Sequence, residues 1–150
     1  MQIFDTMDAH LAQGADMEGA VLPLGLMLAW CIRLNLVAEN IRRDQPVLVT
    51  RVQMQDIAPA EIGGVLGGVL SAEHVNRQGR EFLEHNYARY LQLLADVSGG
   101  SMYSLANDWH TYDTVAPTLT AWLRQCQSKG TAGKFGLRRL WEKLSGRDEQ

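Results

Sequence analysis

Two cysteines in 150 residues, Cys31 and Cys126, far apart and each among apolar neighbours, exclude a disulfide framework or a cysteine-rich zinc module. They read as reduced thiols in a core. No apolar run reaches the roughly 20 residues that a bilayer demands. The longest goes from Ala20 to Ile32 and then meets Arg33 and Asn35, so it predicts a buried helix and no membrane span. Lys and Arg are missing from residues 1–19, which instead carry Asp5, Asp8, Asp16 and Glu18. A secretory leader needs a basic start and an apolar stretch behind it. Neither is there, and a cytoplasmic location is the expectation. The chain also lacks a G-x-S-x-G elbow, a Gly-Lys-Ser/Thr after its glycine pairs at 63–64 and 67–68, an H-E-x-x-H pair, an internal repeat and any low-complexity tract. Nucleophilic catalysis, nucleotide binding and solenoid architecture lose their usual signatures.

What is present is ordinary for a globular protein: 46% hydrophobic and 21% charged residues, with a net charge of -3. This predicts a single domain over 1–150, and the acidic balance argues against a nucleic-acid binder. Residues 1–19, with Gly14 and Gly19, read as an irregular lead-in. Pro23 suits the first turn of a helix that would run on through Trp30 to Ile41, with Met27 and Trp30 as core anchors. Pro46 to Met54 fits a strand or a helix, and residues 46–70 stay ambiguous. A helix start follows Asp56, and the glycines at 63, 64, 67 and 68 read as a flexible connection.

From Ser71 onward the pattern is helical, with Ser71 or Asn76 as cap. Leu83, Tyr87, Tyr90, Leu91 and Leu94 recur at helical spacing until Ser98-Gly99-Gly100-Ser101. A loop with Trp109, His110 and Tyr112 comes next. Asp113 or Thr114 then caps a helix with Pro117 in its first turn and Leu119, Trp122, Leu123 and Cys126 on one face, stopping near Ser128-Lys129-Gly130. Residues 129–150 read as a C-terminal amphipathic helix and tail built on Leu137, Leu140, Trp141 and Leu144. The fold class is therefore mainly α, an irregular bundle of five to six helices with room for one short strand pair.

Three segments carry chemistry-bearing side chains. Glu81 and His85 lie one helical turn apart, which suits either a metal pair or a solvated helix face. Asp108-Trp109-His110-Thr111-Tyr112-Asp113 is the densest such stretch. It suits acid–base work through Asp108 and His110, or the gripping of a partner, or simply a capped helix start with a core tryptophan. Arg124, Lys129, Lys134, Arg138, Arg139 and Lys143 are opposed only by Glu142, either as a steering patch or as a solvated face. No catalytic residue, metal ligand or cofactor is assigned on these grounds.

Asp8-Ala9-His10, the run Leu24-Gly25-Leu26-Met27-Leu28-Ala29-Trp30 and the Phe82–Tyr90 helix together resemble a family of small uncharacterised bacterial proteins often suspected as toxin-immunity partners. The likeness covers roughly residues 4 to 113. Ala9 stands where that family places Trp, and Pro23 where it places the histidine that opens the helix. The resemblance implies a helical fold and a protein that binds and neutralises a cognate toxin. Partner contacts are then expected at Trp109, His110, Tyr112 and Asp113, with Arg138 and Arg139 as steering charges. The competing expectations are a small metal-dependent or acid–base enzyme using Glu81, His85, Asp108 and His110, and a homo-oligomeric adaptor, a homodimer among its forms, in which Trp122, Trp141 and the C-terminal amphipathic helix pair with a second copy.

Overall fold

A computed structural model describes the backbone of residues 1–144 and the side chains of residues 1–128. The described elements are mainly helical, with one pair of short strands, in the order β1 (Ile3–Thr6), α1 (Met7–Ala12), α2 (Met17–Arg33), α3 (Glu39–Asp44), α4 (Pro46–Gln53), α5 (Pro59–Val65), β2 (Val69–Ser71), α6 (Arg77–Ser98) and α7 (Trp109–Leu144). Short 3-10 turns occupy Ala72–His74 and Met102–Ser104. The chain forms two compact units, Met1–Ala116 and the portion from Pro117 onward. No helix among the described residues is long and apolar enough to cross a membrane.

The expected irregular lead-in is ordered. Residues Ile3–Thr6 pair antiparallel with Val69–Ser71, with an irregularity between Ile3 and Asp5 that leaves Phe4 as the extra residue. Bulges of this kind re-aim a side chain. Thr6 then accepts from the Ala9 amide and caps α1. The apolar helix starts earlier than Pro23 suggests, because Asp16 accepts from the Gly19 amide at 2.7 Å and fixes the first turn at Met17. Pro23 sits inside α2 and leaves one carbonyl of the preceding turn without its usual amide donor. The helix also stops earlier than Ile41, at Arg33, where Asn35 takes a positive φ of 62° and turns the chain.

Gly19 to Ile32 are buried all round, so α2 is the axis of the first unit. Met27 and Trp30 are fully buried, and Trp30 packs against Phe82 of α6 at a ring separation of 4.6 Å. Residues Pro46–Gln53 are helix rather than strand, burying Leu48 and Val52. The glycines at 63 and 64 are not a flexible link but part of α5. A Cβ on Gly25 of α2 would lie 1.8 Å from the Pro59 carbonyl oxygen, and one on Gly63 would lie 2.6 Å from a Val21 methyl. The two helices touch backbone to backbone because side chains are absent there. Only Gly67 and Gly68, both at positive φ, make the turn into β2.

Asn76 caps α6 through the Gly79 amide, and Leu83, Tyr87, Tyr90 and Leu94 are buried on its inner face. Helix α7 begins at Trp109, where a loop was expected, because Asp108 rather than Asp113 accepts from the Thr111 amide at 2.9 Å. Pro117 lies inside it, and the helix continues past Ser128 to Leu144 instead of breaking near Gly130. Leu119, Trp122 and Leu123 are buried, whereas Cys126 is exposed, contrary to the core position expected for it. The side chains of Leu137, Arg138, Arg139, Leu140, Trp141 and Leu144 lie outside the described residues.

Candidate functional site

Two polar arrangements stand out in the first unit, one interior and one at the surface. The interior one starts from Asp5. The bulge in β1 and the cap of α1 bring its carboxylate over the last turn of α1, where His10 Nε2 lies 2.7 Å from Asp5 Oδ2. The Tyr87 hydroxyl of α6 donates to the same oxygen, and the Thr6 amide donates to Oδ1 at 2.8 Å. On the other side of the imidazole, His10 Nδ1 lies 2.6 Å from the Tyr103 hydroxyl, which is itself 3.1 Å from Gln13 Oε1. His10 is 2% exposed and the Asp5 side chain 7%, so this pair is almost dry, while Tyr103 is half-buried and Gln13 exposed at the outer end of the cluster.

The direction of each bond along Asp5, His10, Tyr103 and Gln13 depends on the tautomer of the His10 ring. Among the described residues no buried polar side-chain atom lacks a hydrogen-bond partner. The cluster therefore works as a clasp that holds β1 and α1 to α6 and to the turn at Tyr103. Burial, first of all, pushes the Tyr87 hydroxyl well above the usual phenol range, so it remains a donor. The neighbouring Tyr90 hydroxyl is raised for the same reason and donates to the Pro23 carbonyl at 2.6 Å, tying α6 to α2 at the proline.

The surface arrangement is built at the end of α2 and the start of α7. Asn107 Oδ1 accepts from the Ala60 amide at 2.8 Å, serving the first turn of α5, whose own cap residue Ala58 makes no side-chain bond. One residue later Asp108 caps α7, and the bond to the Thr111 amide holds its carboxyl below the usual carboxylate range. Trp109 then donates from Nε1 to the Ile57 carbonyl at 2.9 Å, and its ring meets Tyr112 edge-on at 4.9 Å. Both rings are thus fixed before anything else arrives.

Over them lies Arg33, the last residue of α2. Its guanidinium carbon is 5.8 Å from the Trp109 ring and 5.4 Å from the Tyr112 ring. Arg33 is exposed, Trp109 half-buried and Tyr112 buried. Burial raises the Tyr112 hydroxyl to about 12, with the Arg33 charge pulling the other way and Asp113 adding to the rise. Among the described residues no carboxylate approaches the Arg33 guanidinium within 4.0 Å.

Of the residues singled out in the sequence, Trp109 and Tyr112 form this platform while His110 and Asp113 are exposed beside it. Arg138 and Arg139 fall outside the described side chains. Glu81 pairs with Arg77 on its own helix at 3.3 Å, and His85 is exposed. Among the described residues no group of three His, Cys, Asp or Glu side chains could hold a metal ion. Sequence reasoning missed Arg33, which looked only like the end of an apolar run. It also missed the meeting of Asp5, His10, Tyr87 and Tyr103, although the lead-in and the Tyr-bearing helix had each been noticed.

A family model described as "Domain of unknown function (DUF7832)" matches residues 3–110, and the chain belongs to that family. No curated protein and no solved structure matches it.

Proposed function

We propose that this member of the DUF7832 family is a cytoplasmic protein-binding module of the immunity kind, which neutralises a cognate toxin by covering it. The observation that carries the reading is the exposed Arg33 guanidinium laid over the fixed rings of Trp109 and Tyr112. Arg, Trp and Tyr are the residue types that dominate the energetics of protein interfaces, above all when anchored side by side. Exposed His110 and Asp113 flank the platform and add polar contacts at its rim. Val47 on α4 and Met54 just past its end, 70% and 72% exposed, supply apolar area of the kind interfaces use. The interior histidine clasp supports the same reading, since its hydrogen bonds are consumed in holding the fold.

The test is co-expression with the protein encoded beside this chain's gene, followed by light scattering and an assay of that protein's toxicity. The proposal requires a stoichiometric complex and loss of toxicity that scales with complex formation. Two proteins that migrate separately at micromolar concentration, with toxicity intact, would refute it.

A further inference from the structure

We infer that the C-terminal half of α7 is an amphipathic helix that lies on the surface of an anionic lipid bilayer, its leucines among the acyl chains and its cations at the phosphates. From Pro117 onward the chain forms a unit of its own, and the described part of that unit is one helix running to Leu144. A helix needs a second layer to bury an apolar stripe. Leu119, Leu123 and Cys126 follow one another at steps of four and three, and the same alternation passes Gly130 and Gly133 to reach Leu137, Leu140 and Leu144. At about 100° per residue these positions share one sector roughly 100° wide over about seven turns. Leu119 and Leu123 are buried, whereas residues 124–128 are all exposed. Among the described side chains burial along the stripe thus ends at Leu123, while its register continues to Leu144.

The charges of residues 129–143, five cations and the single acid Glu142, are ordered about that stripe. Lys129 and Lys143 take register positions along one flank, Lys134 and Arg138 along the other. Glu142 falls roughly opposite, about 150° from the centre of the stripe. Trp141 takes the stripe's edge, and Phe135 is the one large apolar residue of the segment outside the sector. A bilayer interface selects this distribution. Cations that border an apolar face keep their stems in the apolar layer and bring their heads to lipid phosphates, an indole suits the boundary, and the acid lies farthest from the phosphates.

Other occupants match the segment less well. Two copies would set five cations and one acid against the same surplus in either orientation. A helix of another protein needs large side chains at successive seam positions, and three in a row here, 126, 130 and 133, are Cys, Gly and Gly. Fluid lipid fills around small residues without such matching. A nucleic acid offers phosphates to the cations but no apolar cover to the leucines. No helix among the described residues is long and apolar enough to cross a membrane, so the contact is with the surface.

The full-length chain is floated with vesicles of equal parts phosphatidylglycerol and phosphatidylcholine, and with vesicles of phosphatidylcholine alone. The inference requires binding to the anionic vesicles at least about tenfold tighter than to the neutral ones, weakening as salt rises. It also requires a blue shift of tryptophan emission that Trp141→Phe loses. Leu140→Asp with Leu144→Asp should reduce the affinity at least about tenfold. Lys134→Gln with Arg138→Gln, which keeps the stripe intact, should do the same for the anionic vesicles. Arg43→Gln with Arg77→Gln removes two exposed cations of the first unit and should leave the affinity within about twofold. No binding to the anionic vesicles, equal binding to both vesicle types, or affinity undiminished by either tail pair overturns the inference. So does self-association through the leucine stripe without vesicles, or a tighter complex with soluble polyglutamate than with vesicles of equal negative charge.

Discussion

Replacing Gly25 with alanine tests whether the two central helices really touch through their backbones. The new Cβ would lie 1.8 Å from the Pro59 carbonyl oxygen and 2.6 Å from its carbon. An ordinary carbon–oxygen contact is about 3.3 Å or more, so α2 and α5 must part by roughly 1.5 Å. Backbone atoms cannot swing aside as a side-chain tip can. The cost therefore belongs at the upper end of overpacking, about 3 kcal/mol. Alanine's better helix propensity returns about 1 kcal/mol, leaving a net loss near 2 kcal/mol. For a chain of this length that corresponds to a melting temperature lower by about 4–8 °C. Gly64, on the same short helix, has nothing within 4 Å of its Cβ position. Gly64→Ala should accordingly gain up to about 1 kcal/mol and raise the midpoint by a few degrees. Thermal and urea unfolding of the two variants measure both. A Gly25→Ala protein as stable as the parent, or losses of equal size at the two positions, would refute the packing argument.

Removing the imidazole by His10→Phe leaves the buried Asp5 carboxylate with two of its donors, the Tyr87 hydroxyl and the Thr6 amide, and should cost about 3 kcal/mol in urea unfolding. The double change Asp5→Leu with His10→Phe should recover much of that loss, because no charge is then stranded. Trp109→Phe should cost about 1 kcal/mol by leaving the Ile57 carbonyl without its donor, and should broaden or shift the Arg33 Nε–H resonance. His74 Nδ1 accepts from the Ser71 amide, and burial holds its pKa below the ordinary 6.5. The folded state thus prefers the neutral ring, so this contribution is complete above 6.5 and fades as the pH falls through the lowered folded value. Unfolding midpoints measured across that window should show the decline in the parent and a flatter profile in His74→Gln. Reversing the charges with Arg138→Glu and Arg139→Glu should slow association with the proposed toxin partner more than it speeds dissociation, read by stopped flow at two salt concentrations.

The parts of the fold that could be read in the sequence are those governed by local spacing. The inner face of α6, the Asn76 cap and the core positions of Met27 and Trp30 all follow from helical periodicity. The misread parts depend on distant partners. Proline usually marks a first turn, but Asp16 sets the start of α2 through Gly19, and Pro23 is carried inside a helix that α5 and α6 enclose. Gly63 looked like a hinge because glycine is flexible alone; here it clears space for Val21. The strand at Ile3–Thr6 is too short for alternation to show, and its partner begins at Val69. The candidate site divides in the same way. Trp109 and Tyr112 announced themselves as aromatics beside charges, whereas the significance of Arg33 comes entirely from rings that stand far along the chain.

Hydrogen exchange of the complex with the proposed toxin partner, compared with the free chain, tests the binding claim most directly. The account predicts new protection concentrated at the end of α2, along α4 and over the first turns of α7, with the amides of α1 and the inner turns of α6 unchanged. Protection confined to other surfaces, with the Arg33 and Trp109 segments exchanging as they do in the free protein, would contradict it.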